Sequence, residues 1–393
     1  MSQLHIFNPG YEVAAMLDDE NYTPPANVCV MMKDLALLPL WYADKEDWIY
    51  TGEEDHDFVE KLPEMMEPFP RLLNNNKKPD TLLLAKPWGL SPHIIKVYKT
   101  LEEELGVALS IPAWNEKVKM LTGRKGGALC LDYLKDSLPE VSVDLPVWVD
   151  SLDDIEFLLQ KKGPPLVVKT PYSSSGRGVL WLRSDAIADT ERKRIAGAMR
   201  KQSTVSIENG LDKALDFAME FYSDGRGGVK YEGLSLFDTD VKGNYTGNIL
   251  ASQFVLEEKL FELVDREYLG RIQDATCKAL KNIYSDTYEG FLGVDMLVYK
   301  ENDKHLIHPC VEVNMRNTMG MIALRFYKRY VCSDAEGGFY ISFEKEKGKV
   351  WTKHCELSKE KPLKMENGKI RKGYFSLCPV TPETHYLAYI MIL

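Results

Sequence analysis

The chain has 393 residues, 45% hydrophobic and 27% charged, a balance that fits a soluble globular protein of two or three lobes. Forty-nine Lys and Arg against 59 Asp and Glu leave a net charge of −10, which argues against nucleic acid as the main partner. No run approaches the ~20 apolar residues of a membrane span, and the start MSQLHIFNPGYEV has neither the basic nor the apolar part of a signal peptide. Seven scattered cysteines without a C-x-x-C pair exclude a zinc site or disulfide framework, so a cytoplasmic, reducing setting is expected.

The first lobe alternates strands and helices. Leu4–Phe7 reads as a buried strand ending at Asn8-Pro9-Gly10, with a helical stretch over Glu12–Leu17. Thr81–Ala85 reads as another, ending at Lys86-Pro87-Trp88-Gly89. Ser91-Pro92 then opens a helix with Ile94, Val97, Tyr98, Leu101 and Leu105 at helical spacing. Such alternation predicts a parallel open sheet, with ligands beyond the carboxyl ends of its strands. A second lobe begins near Ile111, and its Asn115–Leu134 stretch leads to a strand at Leu145–Val149. A helix capped by Ser151 or Asp153 follows, and Gly163-Pro164-Pro165 turns the chain into a strand ending at Lys169.

The third lobe begins near Gln202, with a strand at Thr204–Glu208 and a weaker alternation over Leu215–Tyr222; Ser223–Asn248 gives no assignable role. The periodicity of 256–284 predicts one long amphipathic helix, interrupted at Gly270. Two strands, Gly293–Tyr299 and His308–Asn314, flank the polar turn Glu301–Lys304, and a helix follows Asn317 to about Cys332. The tail holds a charged stretch, Glu344–Lys361, and a hairpin turned at Asn367-Gly368. The expected units are 1–110, 111–201, 202–340 and a C-terminal extension, 341–393.

Two constellations carry chemistry. In the first, a buried strand ends in Lys169 and runs into Thr170-Pro171-Tyr172-Ser173-Ser174-Ser175-Gly176-Arg177-Gly178. Small residues let backbone N–H groups approach an anion, and the lysine adds a compact positive charge; a bare flexible hairpin is the competing reading. In the second, Asp295 interrupts an apolar strand, while Glu312 and Asn314 share a face of the next. Two carboxylates and an amide oxygen on one sheet face suit Mg²⁺, and Arg316 continues that face. His93, His305 and His308 lack ligand spacing and read as surface or strand-end residues. Trp41 and Trp48 read as core or interface.

These features, in this order over roughly Ile111–Gly320, resemble the ATP-grasp superfamily: Asn115-Glu116-Lys117, Pro-Leu-Val-Val-Lys with its serine loop, Glu208, Gly-Val-Asp and Glu-Val-Asn-Met-Arg. The resemblance implies a mixed α/β and α+β chain, with a Rossmann-like pre-ATP-grasp lobe followed by two α+β lobes that sandwich ATP. It implies that Lys117 and Lys169 hold ATP phosphates, and that Ser173, Ser174, Ser175 and Gly176 form the phosphate flap. Glu208, Asn209, Gly210 and Leu211 would be the adenine hinge, and Asp216 stands near the ribose acid. Asp295, Glu312 and Asn314 are similar to the Mg²⁺ ligands, Arg316 to the arginine of the Asn-x-Arg ending. Glu12 lies where some relatives place a substrate-binding glutamate, although a helix-start carboxylate explains it equally well.

Gly293 stands where some relatives carry an arginine, so Arg316, Arg177 or another group must replace it. The activity implied is a ligation of a small-molecule carboxylate to an amine through an acyl phosphate, with ATP and Mg²⁺. The alternatives are a small-molecule kinase and a nucleotide-binding module without turnover. Neither nucleic acid nor a membrane is expected as a partner, and a homodimer is left open.

Overall fold

The computed structural model describes the chain except residues 53–56, 63–65, 67–68, 75–76, 174–175 and 240–244. Among the described residues no helix is long and apolar enough to cross a membrane. The chain opens with β1 (Gln3–Ile6), α1 (Tyr11–Leu17), α2 (Ala26–Asp34), β2 (Trp48–Ile49), α3 (Asp57–Glu60), β3 (Arg71–Leu72), β4 (Leu83–Pro87), α4 (Pro92–Leu105) and β5 (Leu109–Ser110). The five strands form the expected parallel sheet in the order β3-β2-β1-β4-β5. Its order reverses beside β1 and β4, whose carboxyl ends carry the Asn8–Glu12 and Lys86–Gly89 loops. Ser91 caps α4 by accepting from the Ile94 amide, as its sequence predicts.

Next come α5 (Glu116–Thr122) and α6 (Arg124–Ser137), then β6 (Val147–Val149), α7 (Leu152–Lys162), β7 (Leu166–Lys169), β8 (Val179–Leu182), α8 (Asp189–Gln202) and β9 (Val205–Asn209). Ser151, rather than Asp153, caps α7. The antiparallel sheet β6-β9-β7-β8 packs α7 and α8 over its own small core of Ile155, Leu159, Val168, Ile195 and Ile207. An expected boundary at 201 therefore falls too early, because β9 completes this sheet.

The remaining elements are β10 (Asp212–Asp224), β11 (Val229–Thr239), β12 (Tyr245–Leu250), α9 (Gln253–Phe261), α10 (Arg266–Tyr284), β13 (Glu289–Glu301), β14 (Lys304–Asn314), α11 (Met319–Tyr330), β15 (Gly337–Phe343), α12 (Lys349–Glu360), β16 (Lys364–Glu366), β17 (Lys369–Ser376) and β18 (Tyr386–Ile392). The helix expected over 256–284 is two helices. Asp265 breaks it by taking the Tyr268 amide as the cap of α10, and Gly270 sits inside α10. Both hairpin turns behave as read, with Asn302, Asp303, Asn367 and Gly368 at positive φ in two-residue loops. The tail is not a separate extension. Its strands complete one nine-stranded sheet, β14-β13-β10-β11-β12-β15-β18-β17-β16, and the boundary at 340 would cut β15 in two.

The α6 helix packs across β14, the edge strand of that sheet, and against α10. Gly126 and Gly127 permit the approach. A Cβ at Gly127 would stand 3.2 Å from the Val313 amide nitrogen, and one at Gly126 would stand 2.3 Å from the Tyr284 hydroxyl and 2.8 Å from the Leu121 carbonyl oxygen. Gly126→Ala is therefore expected to destabilise the protein by about 1–3 kcal/mol, the cost of overpacking. Chemical denaturation would measure it, and an unchanged midpoint would show that α6 has room to spare.

Candidate active site

Lys169 ends β7 with its side chain only 10% exposed, and its Nζ meets Glu208 Oε2 at 2.5 Å from the neighbouring strand β9. Burial pushes the Glu208 carboxyl up, but the charge and hydrogen bond of Lys169, with the charges of Arg124 and His308, together outweigh it and hold the group below its ordinary range. The loop after Lys169 turns back on itself, since the Thr170 amide donates to Gly178 and a Cβ on Gly178 would strike Thr170 and Ser173. Ser173 and Gly176 lie in this loop, Gly176 at φ 72°. Ser174 and Ser175 lie outside the described residues.

Arg124, the first residue of α6, reaches into the same region. Its Nε donates to the Thr170 carbonyl (3.1 Å), Nη2 to Ser173 Oγ (3.2 Å) and Nη1 to Glu312 Oε2 (2.9 Å), with 9% of its side chain exposed. The Arg124 amide also donates to Pro171, so the positive end of α6 faces the loop. Lys117 is exposed on α5, and among the described residues no ion pair ties it to Glu208 or Glu312. The chain turns at Gly123 and starts a new helix, so the cation delivered to the cleft is Arg124, seven residues on. The sequence carries only half of the signal, a basic pair opening a helix and followed by Gly-Gly; the strand that this helix touches lies far along the chain.

The acidic face is built by register. Ala218, Asp295 and Glu312 align across β10, β13 and β14, and Glu220, Gly293 and Asn314 align beside them. The pairing of β13 with β14 shifts past Asp295, where Pro309 has no N–H to donate. Burial and the Glu312 charge push Asp295 up to about 7, against the pull of Arg316 and of Asn314, whose Nδ2 donates to Asp295 Oδ2 at 3.0 Å. Two carboxylates that raise one another's cost are what a hard divalent cation relieves, and Asn314 adds a neutral oxygen. Among the described residues no cluster of three or more His, Cys, Asp or Glu gathers, so the oxygen set is these two acids and one amide.

Arg316 ties this face to the first sheet. Its Nη2 donates to Asn314 Oδ1 (2.9 Å), its Nη1 to the Asn317 carbonyl (3.1 Å), and its Nε stands 3.3 Å from Glu12 Oε1 on α1. The Asn317 amide donates to Trp88, and Gly89 pairs with Arg316 across a short bridge. Glu12 is thus a partner of Arg316 and more than a helix-start charge. Lys86, on the neighbouring strand end, pairs with Glu289 at 2.9 Å. Arg177 is exposed, and its carbonyl accepts from Arg194.

Other expectations fare unevenly. Gly210 donates its amide to Pro165 and is packed against Trp181, and Asn209 bonds Asp144 and Lys162, so these two hinge groups already have protein partners. Leu211 is half-buried against the main core. Asp216 shares the face of Asp295 and takes the Thr239 hydroxyl at 2.9 Å while pairing with Lys213. His308 is no surface histidine. It lines the narrow cleft between the two antiparallel sheets with Trp148, Ser206, Glu208 and Cys310, and burial with the Lys169 charge pulls it down to about 4. Glu220 was missed, hidden in a strand covered on both faces. It is 1% exposed, takes the Thr318 hydroxyl on Oε1 at 2.9 Å, and fills the notch left by Gly293 and Gly320.

No family model matches the chain, and no curated protein matches it in sequence. Solved structures do match its fold. A biotin carboxylase from Campylobacter jejuni in a β-γ-ATP complex aligns with 100% of this chain and 88% of its own, at 12% identity and TM-score 0.51. An N5-carboxyaminoimidazole ribonucleotide synthetase in its ADP complex aligns over 100% and 92%, at 10% identity and TM-score 0.51. The Staphylococcus aureus N5-carboxyaminoimidazole synthetase with ADP aligns over 100% and 93%, at 12% identity and TM-score 0.50. The chain has the ATP-grasp fold.

Burial pushes Glu220 up to about 8 from an ordinary 4.5, with the Asp295 charge adding to the rise and the Thr318 bond opposing it. Between those values the folded chain keeps a proton that the unfolded chain has lost, so stability falls as pH rises through that window. Glu220→Gln is expected to raise the melting temperature at pH ~8 and to lose this advantage towards pH ~4.5. Parallel melting curves for the two proteins at every pH would refute a buried, proton-holding Glu220.

Proposed function

We propose that the protein is an ATP-dependent carboxylate–amine ligase that works through an acyl phosphate. The observation that supports this best is the convergence of three parts of the chain on one cleft. Lys169, Glu208 and Ser173 come from the small sheet, Asp295, Glu312 and Asn314 from the large one, and Glu12 from the first sheet by way of Arg316. A nucleotide lying between the two antiparallel sheets would meet His308, Trp148 and Glu208 at its base end and Lys169, Arg124 and Ser173 at its phosphates. Arg124 takes the role that the sequence assigned to Lys117 and supplies the guanidinium absent at Gly293.

Asp295, Glu312 and Asn314 would hold Mg²⁺, which supplies charge neutralisation at the terminal phosphates when bound. Arg316 holds Asn314 and with it Asp295, and its fork can orient a substrate carboxylate beside the first sheet. The chain's own work is to position a carboxylate in line with the terminal phosphate, to keep water out, and to present the acyl phosphate to an amine. The substrates are a small-molecule carboxylate and a small-molecule amine. All seven cysteines are free, which supports a reducing, cytoplasmic setting.

Incubation with ATP, Mg²⁺ and a mixture of amino acids and small peptides tests this. ADP with a new amide is the expected product. ADP with a phosphorylated compound would make the protein a kinase, and binding without turnover would make it a nucleotide-binding module. Glu312→Gln should lower turnover by roughly a hundredfold or more, well beyond what the modest drop in melting temperature from leaving Arg124 without its carboxylate would cause.

Lys169→Ala should weaken ATP binding but also leave Glu208 buried and uncompensated. Lys169→Ala combined with Glu208→Gln should therefore recover stability without recovering ATP affinity. Calorimetry showing wild-type ATP affinity in the double variant would remove Lys169 from the phosphate site.

A further inference from the structure

The guanidinium of Arg124 sits on one of the two oxygens of Glu312, a carboxylate that a cation would share with Asp295. Glu312 Oε2 receives Arg124 Nη1 at 2.9 Å, and Glu312 has no second basic partner among the described ion pairs. The same guanidinium reaches Ser173 Oγ and the Thr170 carbonyl, so it bridges the phosphate loop to the metal-binding face. A divalent cation and a guanidinium on one carboxylate stand close together and repel each other. The other carboxylate within reach of the Arg124 charge, Glu208, is already paired with Lys169, so a phosphate lying between Ser173 and Glu312 would be the new anion offered to Arg124.

We propose that Arg124 and a divalent cation compete for Glu312, so that the free protein binds the cation weakly and nucleotide phosphates, by taking over the guanidinium, release the carboxylate to it. The phosphate half rests on the nucleotide reading above; the competition at Glu312 does not. Coupling of this kind is reciprocal: whatever factor ATP adds to cation affinity, the cation adds to ATP affinity. Its consequence is a site that stays closed to bare Mg²⁺ and fills only with the metal–nucleotide pair.

The test uses the full chain and Mn²⁺ as the probe, with free Mn²⁺ followed by electron paramagnetic resonance and metal-free ATP titrated by calorimetry. Arg124→Gln should bind Mn²⁺ roughly tenfold more tightly than wild type and ATP roughly tenfold more weakly, the scale of one charge-assisted hydrogen bond. Opposite signs in one variant are a signature that loss of structure would not produce. Arg124→Lys, whose single ammonium cannot span three acceptors, should fall between the two proteins on both axes. Adding Glu312→Gln to Arg124→Gln should abolish the Mn²⁺ gain.

Mn²⁺ affinity that is unchanged or weaker in an Arg124→Gln protein with wild-type melting temperature overturns the competition. The same holds for Arg124→Lys should the glutamine variant fail to fold. Wild-type protein that binds no ATP overturns the nucleotide reading and the phosphate half of the proposal, while the Mn²⁺ comparison still decides the rest.

Discussion

The arginine at 316 is the joint on which the site depends. It is the residue through which the first sheet and the large sheet speak to one another: Glu12 on one side, Asn314 and through it Asp295 on the other. A guanidinium can do this because its planar fork makes several directed bonds at once, where an ammonium would make a looser contact. Each group in the chain limits the next. Asn314 gives its amide nitrogen to Asp295 and its oxygen to Arg316, so its orientation is fixed from both ends. The result is a row of polar side chains held in place before any ligand arrives, which is the condition for positioning to contribute to rate.

The charges of the site are costly in the empty protein. Asp295 is driven up to about 7 and Glu220 to about 8, chiefly by burial, and His308 is held neutral down to about 4. None of these is what a fold selected for stability alone would contain. The compensation comes from pairing: Lys169 with Glu208, Arg124 with Glu312, Glu12 with Arg316. Breaking one partner of such a pair costs more than the pair contributes, because the other charge stays buried. The cleft is therefore stable as a neutralised set.

Much of the fold was legible because it rests on local signals. Ser91 and Ser151 announced their helices, Asn367-Gly368 its hairpin, and the period-two pattern around Glu312 placed that residue with Asn314 on one face. Asp295 could be read because a carboxylate inside an apolar strand is conspicuous. What stayed hidden depends on contacts distant in sequence. Arg124 matters because Gly126 and Gly127 let α6 lie against β14, a fact no window around Arg124 contains. Glu220 sits in a strand covered on both faces, where alternation fails as a guide. The two helices read as one over 256–284 show the converse, a periodic pattern that continues across a cap.

The tail explains why the first sheet stays where Arg316 can reach it. The strands β15, β17 and β18 extend the large sheet, and the segment between α2 and β2 packs onto them, with Trp41 giving its indole N–H to the Leu377 carbonyl at 2.7 Å. Asp34 accepts the amides of His385 and Tyr386 at 2.8 and 2.9 Å. Trp41, Phe326, Tyr330 and Phe375 stack edge to face in the same core, so α11, which follows directly from Arg316, is gripped from both sides. Residues that looked like an appendage in sequence therefore brace the distance between Glu12 and Arg316 from behind. The Glu12–Arg316 ion pair is weak by itself; with the backbone bridge from Gly89 to Arg316 beside it and an apolar core behind it, it becomes a fixed dimension of the site.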